Sequence, residues 1–286
     1  MGKPLWKPLR RVERGRLSEA RLAAHNAVQW LARAARAYIS PKADDSHTNL
    51  GWEQTLGALT THPLPDGSRL ALRIADLTLT LLGTGDLALQ GRSEAEIRAW
   101  LGARLSTMGL DASALDRMLP YEMPASALAS TGRYSLDHLE SALGELAGWY
   151  GNASRALDEV RADLVARGLR APPVRCWPHH FDLDTLIYFD GPNAANPRSN
   201  PRSMGVGFSP GDGYYDEPYF YVSIYPAPPV TTLPALAFGC WHSHDFTAAI
   251  AAADRILDES DQGATVGSFL RSATDIIIGE QSTPPQ

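Results

Sequence analysis

Apolar residues recur every three or four positions over two long stretches of the chain and every second position over shorter ones. Leu17, Ala24, Val28, Leu31, Ala35 and Tyr38 fall on one face of a helix, with Ser18 read as its cap and Pro41 beyond its end. A second helix, read from Ser135, carries its stripe through Leu139, Leu143, Leu146, Tyr150, Ala153, Leu157, Val160 and Leu164, and Gly168 and Pro172 close it. Between the two, Leu70, Leu72 and Ile74, then Leu77, Leu79 and Leu81, alternate with polar residues, which predicts two strands with a turn near Asp76. Ser93 and Glu96 form a capping box that opens a helix through Ile97, Trp100, Leu101 and Leu105. Residues 111–134, with Pro120, Pro124 and Gly132, read as an irregular connection.

Beyond the long helix, "VRCWPHHFDLDTLIYF" reads as extended chain interrupted at Pro178, and "MGVGFSPGDGYYDEPYFYVSIYPAPP" as two strands joined by a Gly-rich turn. Helices are expected near 246–258 and 264–278. These elements predict an α+β fold, an antiparallel sheet packed against long helices. The expected layout is a basic N-terminal tail over 1–16, one α+β domain over 17–280 and a short C-terminal tail over 281–286. The order of helix, His/Trp segment, strands and helix occurs in both 17–110 and 135–280. A duplicated α-β-β-β-α unit would set "DSHTNLGWE" beside "RCWPHHFD" on neighbouring strands, and an unrepeated domain is the alternative.

Composition narrows the function classes. Apolar residues make up 44% of the chain and the net charge is −6, so a sizeable core is available and a general nucleic-acid binder, which needs a basic face, is not expected. The one basic run, "KPLWKPLRRVERGR", reads as a solvated tail. No apolar run is long enough to span a bilayer and the N-terminus has no secretory h-region, so no membrane partner is expected. The two cysteines do not make a disulfide framework, and the expectation is a cytoplasmic protein with free thiols, buried beside Trp177 and Trp241.

Three segments, "LGALTTHPLPDG", "FDLDTLIYF" and "VGFSPGDGYYDEPYFYVSIYPAPP", resemble an uncharacterised bacterial family known as domain of unknown function 5996. The Pro-Gly-Asp-Gly turn followed by Glu-Pro-Tyr-Phe-Tyr is the most specific part of the resemblance. It implies no activity and no catalytic residue.

The chemistry must therefore be read from the residues. Cys-Trp followed by His and Asp occurs twice, in "RCWPHHFD" and "GCWHSHDF", and these segments hold both cysteines and four of the eight histidines. In an extended chain His180, Asp182 and Asp184 share one face and His179 the other, while Cys240, His242 and His244 share a face. Imidazoles two apart, joined by carboxylates, suit one divalent Zn, Fe or Mn ion. The expected metal ligands are His47, His179, His180, Asp182, His242 and His244, with His180, Asp182 and Glu217 as catalytic groups. Trp177, Tyr219 and Tyr221 are the expected ligand-contacting aromatics. In the wall Tyr214, Tyr215, Tyr219, Phe220 and Tyr221, alternation lets only Tyr219 and Tyr221, or only Phe220, line one pocket.

Each of these groups has an equally plain structural role as a hydrogen-bonded strand end or helix cap. A Cys2His2 zinc site and a Cys–His nucleophile are further alternatives. No Walker A, G-x-S-x-G or H-E-x-x-H motif is present. Three functions remain open: a mononuclear metalloenzyme acting on a small polar molecule, a non-catalytic small-molecule binding protein, and a metal-free acid–base enzyme built on a pair such as His180–Asp182.

Overall fold

The computed structural model describes residues 6–124, 131–190 and 201–282. It is an α+β protein with antiparallel sheets. Its chain divides into two compact units, one made of Val12–Gly151 with Arg175–Phe181, the other of Met1–Arg11, Asn152–Val174 and Asp182–Gln286. We call them the N-terminal and C-terminal units.

In the N-terminal unit, α1 (Arg14–Tyr38) begins earlier than Ser18 because the Glu13 carboxylate accepts from the Gly15 and Arg16 amides. Ala20, Ala24, Ala27, Val28, Trp30, Leu31, Ala34 and Ala35 are among its buried residues, and it packs on β3. The sheet is a five-stranded meander, β1 (Gly51–Glu53), β2 (Ala58–Thr60), β3 (Leu70–Arg73), β4 (Thr78–Leu81) and β5 (Gly85–Ala88), in the order of the chain. Every neighbouring pair is antiparallel. The capping box opens α2 (Glu94–Thr107) as the sequence implies. The long helix, α3 (Glu140–Ala166), starts five residues after Ser135, and from Asn152 on it is counted with the C-terminal unit. A short strand, β6 (Arg175–Trp177), adjoins β1 through a two-way bridge, Leu50 and Cys176 exchanging hydrogen bonds of 2.9 and 2.8 Å. The two His/Trp segments are thus neighbours. An internal duplication is a separate matter.

The C-terminal unit holds β7 (Asp182–Tyr188), β8 (Ser203–Ser209), β9 (Tyr219–Tyr225), β10 (Cys240–His242) and β11 (Ala248–Ala252), side by side in the order β10-β11-β9-β8-β7. Alternation divides the strands cleanly. Leu183, Ile187, Met204, Val206, Phe208, Phe220, Val222 and Ile224 face one way and are buried, together with Val266, Phe269, Leu270, Ala273 and Ile277 of α5 (Gln262–Ser282). The opposite face carries Asp182, Asp184, Tyr219 and Tyr221. The helix expected near 246–258 is strand in its first part: "AAIAA" pairs with β9, and a short helix, α4 (Ala253–Leu257), follows. Alanine's helix propensity is weak beside five cross-strand pairings in a buried sheet.

Residues 6–11, read as solvated tail, are held in this unit. Lys7 and Asn152 exchange two hydrogen bonds, and Leu9 and Gln262 two more. Arg11 pairs with Asp254 and Asp258.

Candidate functional site

The first His/Trp segment is a turn where the sequence predicts a strand. Both the His180 amide, at 3.1 Å, and the Phe181 amide, at 2.7 Å, donate to the Trp177 carbonyl, and Phe181 takes a left-handed φ of 62°. Pro178 fixes its own φ and has no N–H to give a ladder, so β6 stops before it and β7 begins at Asp182. His180 and Asp182 therefore do not share a strand face. His180 is exposed. His179 is half-buried, its ring 4.1 Å from that of His180 and 5.6 Å from Tyr121, and burial lowers its pKa. Trp177 lies edge-on to it.

What holds the turn is a buried polar group on α1. The Pro178 carbonyl receives His25 Nε2 at 2.9 Å and Gln29 Nε2 at 2.8 Å. A carbonyl only accepts, so His25 carries its proton on Nε2. The Tyr121 hydroxyl donates to Gln29 Oε1 at 2.8 Å, and the His25 ring lies flat on Phe181, 5.1 Å between centroids. Burial pushes His25 down to about 4 and Tyr121 up to about 12. His47 is buried as well, and its Nδ1 accepts from the Lys42 amide at 3.2 Å.

In the C-terminal unit the strand register assembles a row of hydroxyls and carboxylates. Tyr219 and Tyr221 share a face, as alternation requires, while Phe220 packs on Phe208 on the other. The Tyr221 hydroxyl donates to Asp182 Oδ2 at 2.8 Å, and the Tyr219 hydroxyl makes a short bond to Asp212 Oδ2. Burial raises both phenols far above their ordinary range, and the neighbouring aspartates add to it. Gly207 makes room for this: a Cβ there would lie 2.3 Å from Tyr221 Cζ.

Asp212 organises the Gly-rich turn. Its Oδ1 accepts from the Tyr214 and Tyr215 amides at 2.8 and 3.1 Å, an Asx turn. That places Tyr215 against Tyr219, 5.0 Å between centroids, with its hydroxyl 3.0 Å from His242 Nδ1. His242 Nε2 lies 2.7 Å from the His244 carbonyl. The carbonyl fixes the proton on Nε2, which leaves Nδ1 to accept from Tyr215. Tyr214, 48% exposed, donates to Asp245 Oδ2 at 3.1 Å and packs its ring against His242 and Phe246. The result is an aromatic shelf, partly open, with one tyrosine–histidine pair able to pass a proton.

The remaining expected residues have other partners. Glu217 accepts from the Asp254 amide at 2.7 Å, at the start of α4. β10 ends at His242 and Asp245 has a left-handed φ of 66°, so His244 leaves the face that Cys240 and His242 share; it is exposed and lies 3.3 Å from Asp245. Among the described residues, no three His, Cys, Asp or Glu side chains are grouped so as to hold a metal ion. The shared-cation arrangement expected from the sequence is not formed by them. Neither cysteine is in a disulfide; Cys176 is buried and Cys240 exposed, the latter against the burial that its Trp neighbour suggested.

Sequence reasoning missed Asp212 and the pairing of Tyr215 with His242. The Asp-Gly turn was a signal for the first; nothing local announces the second, whose partners are 27 residues apart. It also passed over His25 and Gln29, whose i, i+4 spacing puts them on one helix face. Among the described residues no helix is long and apolar enough to cross a membrane. Comparison of the chain with protein-family models, curated proteins and solved structures finds no match.

Proposed function

We propose that this protein binds a small polar molecule at the shelf formed by Tyr214, Tyr215, His242 and Phe246, using organic side chains in place of a bound metal. The observation that carries the reading is the Tyr215–His242 hydrogen bond, with the histidine tautomer set by the His244 carbonyl, on a half-exposed surface beside Tyr214. Aromatic faces supply contact area at little rotamer cost, and the phenols, imidazole and Asp245 offer donors and acceptors to a polar ligand.

The same pair supports a second reading, metal-free acid–base chemistry. Nδ1 can take the Tyr215 proton while the phenol oxygen takes one from a ligand, and the reverse transfer restores the pair. This replaces His180–Asp182 as the acid–base pair.

The test is calorimetric titration with a panel of small polyols, amines and carboxylates, on the wild type and on Tyr215→Phe and His242→Gln. Binding of at least one class is expected, weakened roughly two- to tenfold in each variant. Failure of every class, or binding indifferent to both substitutions, overturns the site. Stoichiometric Zn, Fe or Mn in protein purified without chelators, lost in His180→Ala, would restore the metal-dependent alternative.

A further inference from the structure

On the shelf of the C-terminal unit the side-chain protons are spent on internal bonds, and the neighbouring charges are negative. We infer that the shelf selects a positively charged organic molecule, a primary ammonium group on a small apolar body. The inference rests on the shelf being the binding site and names the charge of what binds there.

The donors come first. The Tyr214 hydroxyl donates to Asp245 Oδ2 at 3.1 Å, the Tyr215 hydroxyl to His242 Nδ1 at 3.0 Å, and His242 Nε2 to the His244 carbonyl at 2.7 Å. Phe246 has no donor to give. A phenol that donates its one proton keeps lone pairs on its oxygen. What these side chains still offer a ligand is therefore acceptors and ring faces. They match the N–H groups of an ammonium, and they give a carboxylate ligand nothing to accept from.

The charges agree with the donors. Between Arg202 and Arg255 the chain has no lysine or arginine, whereas Asp212, Asp216, Glu217, Asp245 and Asp254 fall in that stretch. Both phenols titrate above their ordinary value, Tyr214 chiefly through its bond to Asp245 and Tyr215 chiefly through burial, and the Asp212 charge adds to each. Asp245 is exposed, with His244 3.3 Å away. The rings add a third term. Tyr214, 48% exposed, stands at 79° to His242 and 77° to Phe246, with centroids 5.5 and 5.1 Å away. Ring faces carry the negative part of the aromatic quadrupole, so walls meeting near a right angle form a corner that attracts a cation. A bare metal ion finds no group of three ligating side chains among the described residues, whereas an organic ammonium also covers the rings.

Butylammonium, 1-butanol and butyrate share one chain and differ in charge, so they are suitable probes, titrated into the full chain at pH 7 by ligand-observed NMR. Butylammonium is expected to bind, 1-butanol more weakly, and butyrate not at all. Asp245→Asn removes the charge with a residue that tolerates the left-handed φ of 66° at that position. It should weaken butylammonium roughly two- to tenfold and bring it close to 1-butanol. Tyr214→Leu, which removes a ring face and leaves Asp245 in place, should weaken butylammonium by a similar factor, with circular dichroism confirming the fold of both variants. Butylammonium that binds no better than 1-butanol, or whose binding is indifferent to both substitutions, overturns the inference. Binding of a polyol or carboxylate that depends on Tyr215 and His242, without binding of butylammonium, overturns it while leaving the shelf as the site. Failure of every class to bind the folded protein overturns both.

Discussion

His25 and His242 each point one ring nitrogen at a backbone carbonyl, at 2.9 and 2.7 Å, and there the likeness ends. His25 is buried, stacked on Phe181, and helps fasten the Pro178 turn to α1. His242 is only partly buried, and its second nitrogen accepts from a tyrosine hydroxyl beside an open aromatic surface. The same local geometry is a structural clamp in one unit and a proton-capable pair in the other. The difference lies in solvent access and in what occupies the second nitrogen, not in the histidine.

The sharpest way to break this comparison is acid. His25 has its pKa lowered from 6.5 to about 4 by burial, so the folded state favours the neutral ring. The unfolded chain binds a proton below pH 6.5 that the folded chain refuses until about pH 4. Stability linked to His25 is therefore complete above about pH 6.5, is lost as pH falls, and reaches a deficit on the order of 3 kcal/mol near pH 4. Denaturant melts at pH 7 and pH 4.5 should show this loss in the wild type and a smaller one in His25→Gln. Equal losses would remove His25 from its role as a buried clamp.

Next in size is Gly207→Ala, whose methyl would meet the Tyr221 ring and should cost up to about 3 kcal/mol of stability. A neutral result by the same melts would mean that the Tyr221–Asp182 pair is not held tightly against β8.

Tyr219→Phe removes a buried hydroxyl from Asp212 and should cost about 1–2 kcal/mol, measured by thermal or denaturant unfolding. Because Asp212 also positions Tyr215, ligand binding at the shelf should weaken in the same variant.

The smallest stability effect is expected at the shelf itself. His242→Gln should change stability by less than about 1 kcal/mol while reducing ligand affinity, the reverse of His25→Gln. A large loss of stability in His242→Gln would make both histidines structural and erase the contrast.

Much of the fold could be read from periodicity. The stripes over α1 and α3, the Ser93–Glu96 box, the β3–β4 pair and the β8–β9 hairpin all follow from spacing, because helices and strands impose their periods locally. The misreadings have specific causes. "AAIAA" is strand because β9 offers it partners. "WPHHFD" is a turn because Pro178 ends a ladder that alternation alone would continue. Of the candidate site, Tyr219 and Tyr221 were correctly paired on one face, whereas Glu217 and His47 turned out to serve backbone amides.

By itself the sequence determined the α+β class, the places of the long helices and which tyrosines share a face. These depend on covalent geometry and on apolar spacing within a few residues. Only the tertiary structure decided that His25 reaches Pro178, 153 positions away, and that Tyr215 meets His242. A hydrogen-bond partner is chosen by whichever groups folding brings within about 3 Å, and burial then sets which protonation state survives. Neither quantity is carried by a residue's own neighbours in the chain, which is why the local sequence around His25 and His242 did not reveal their different roles.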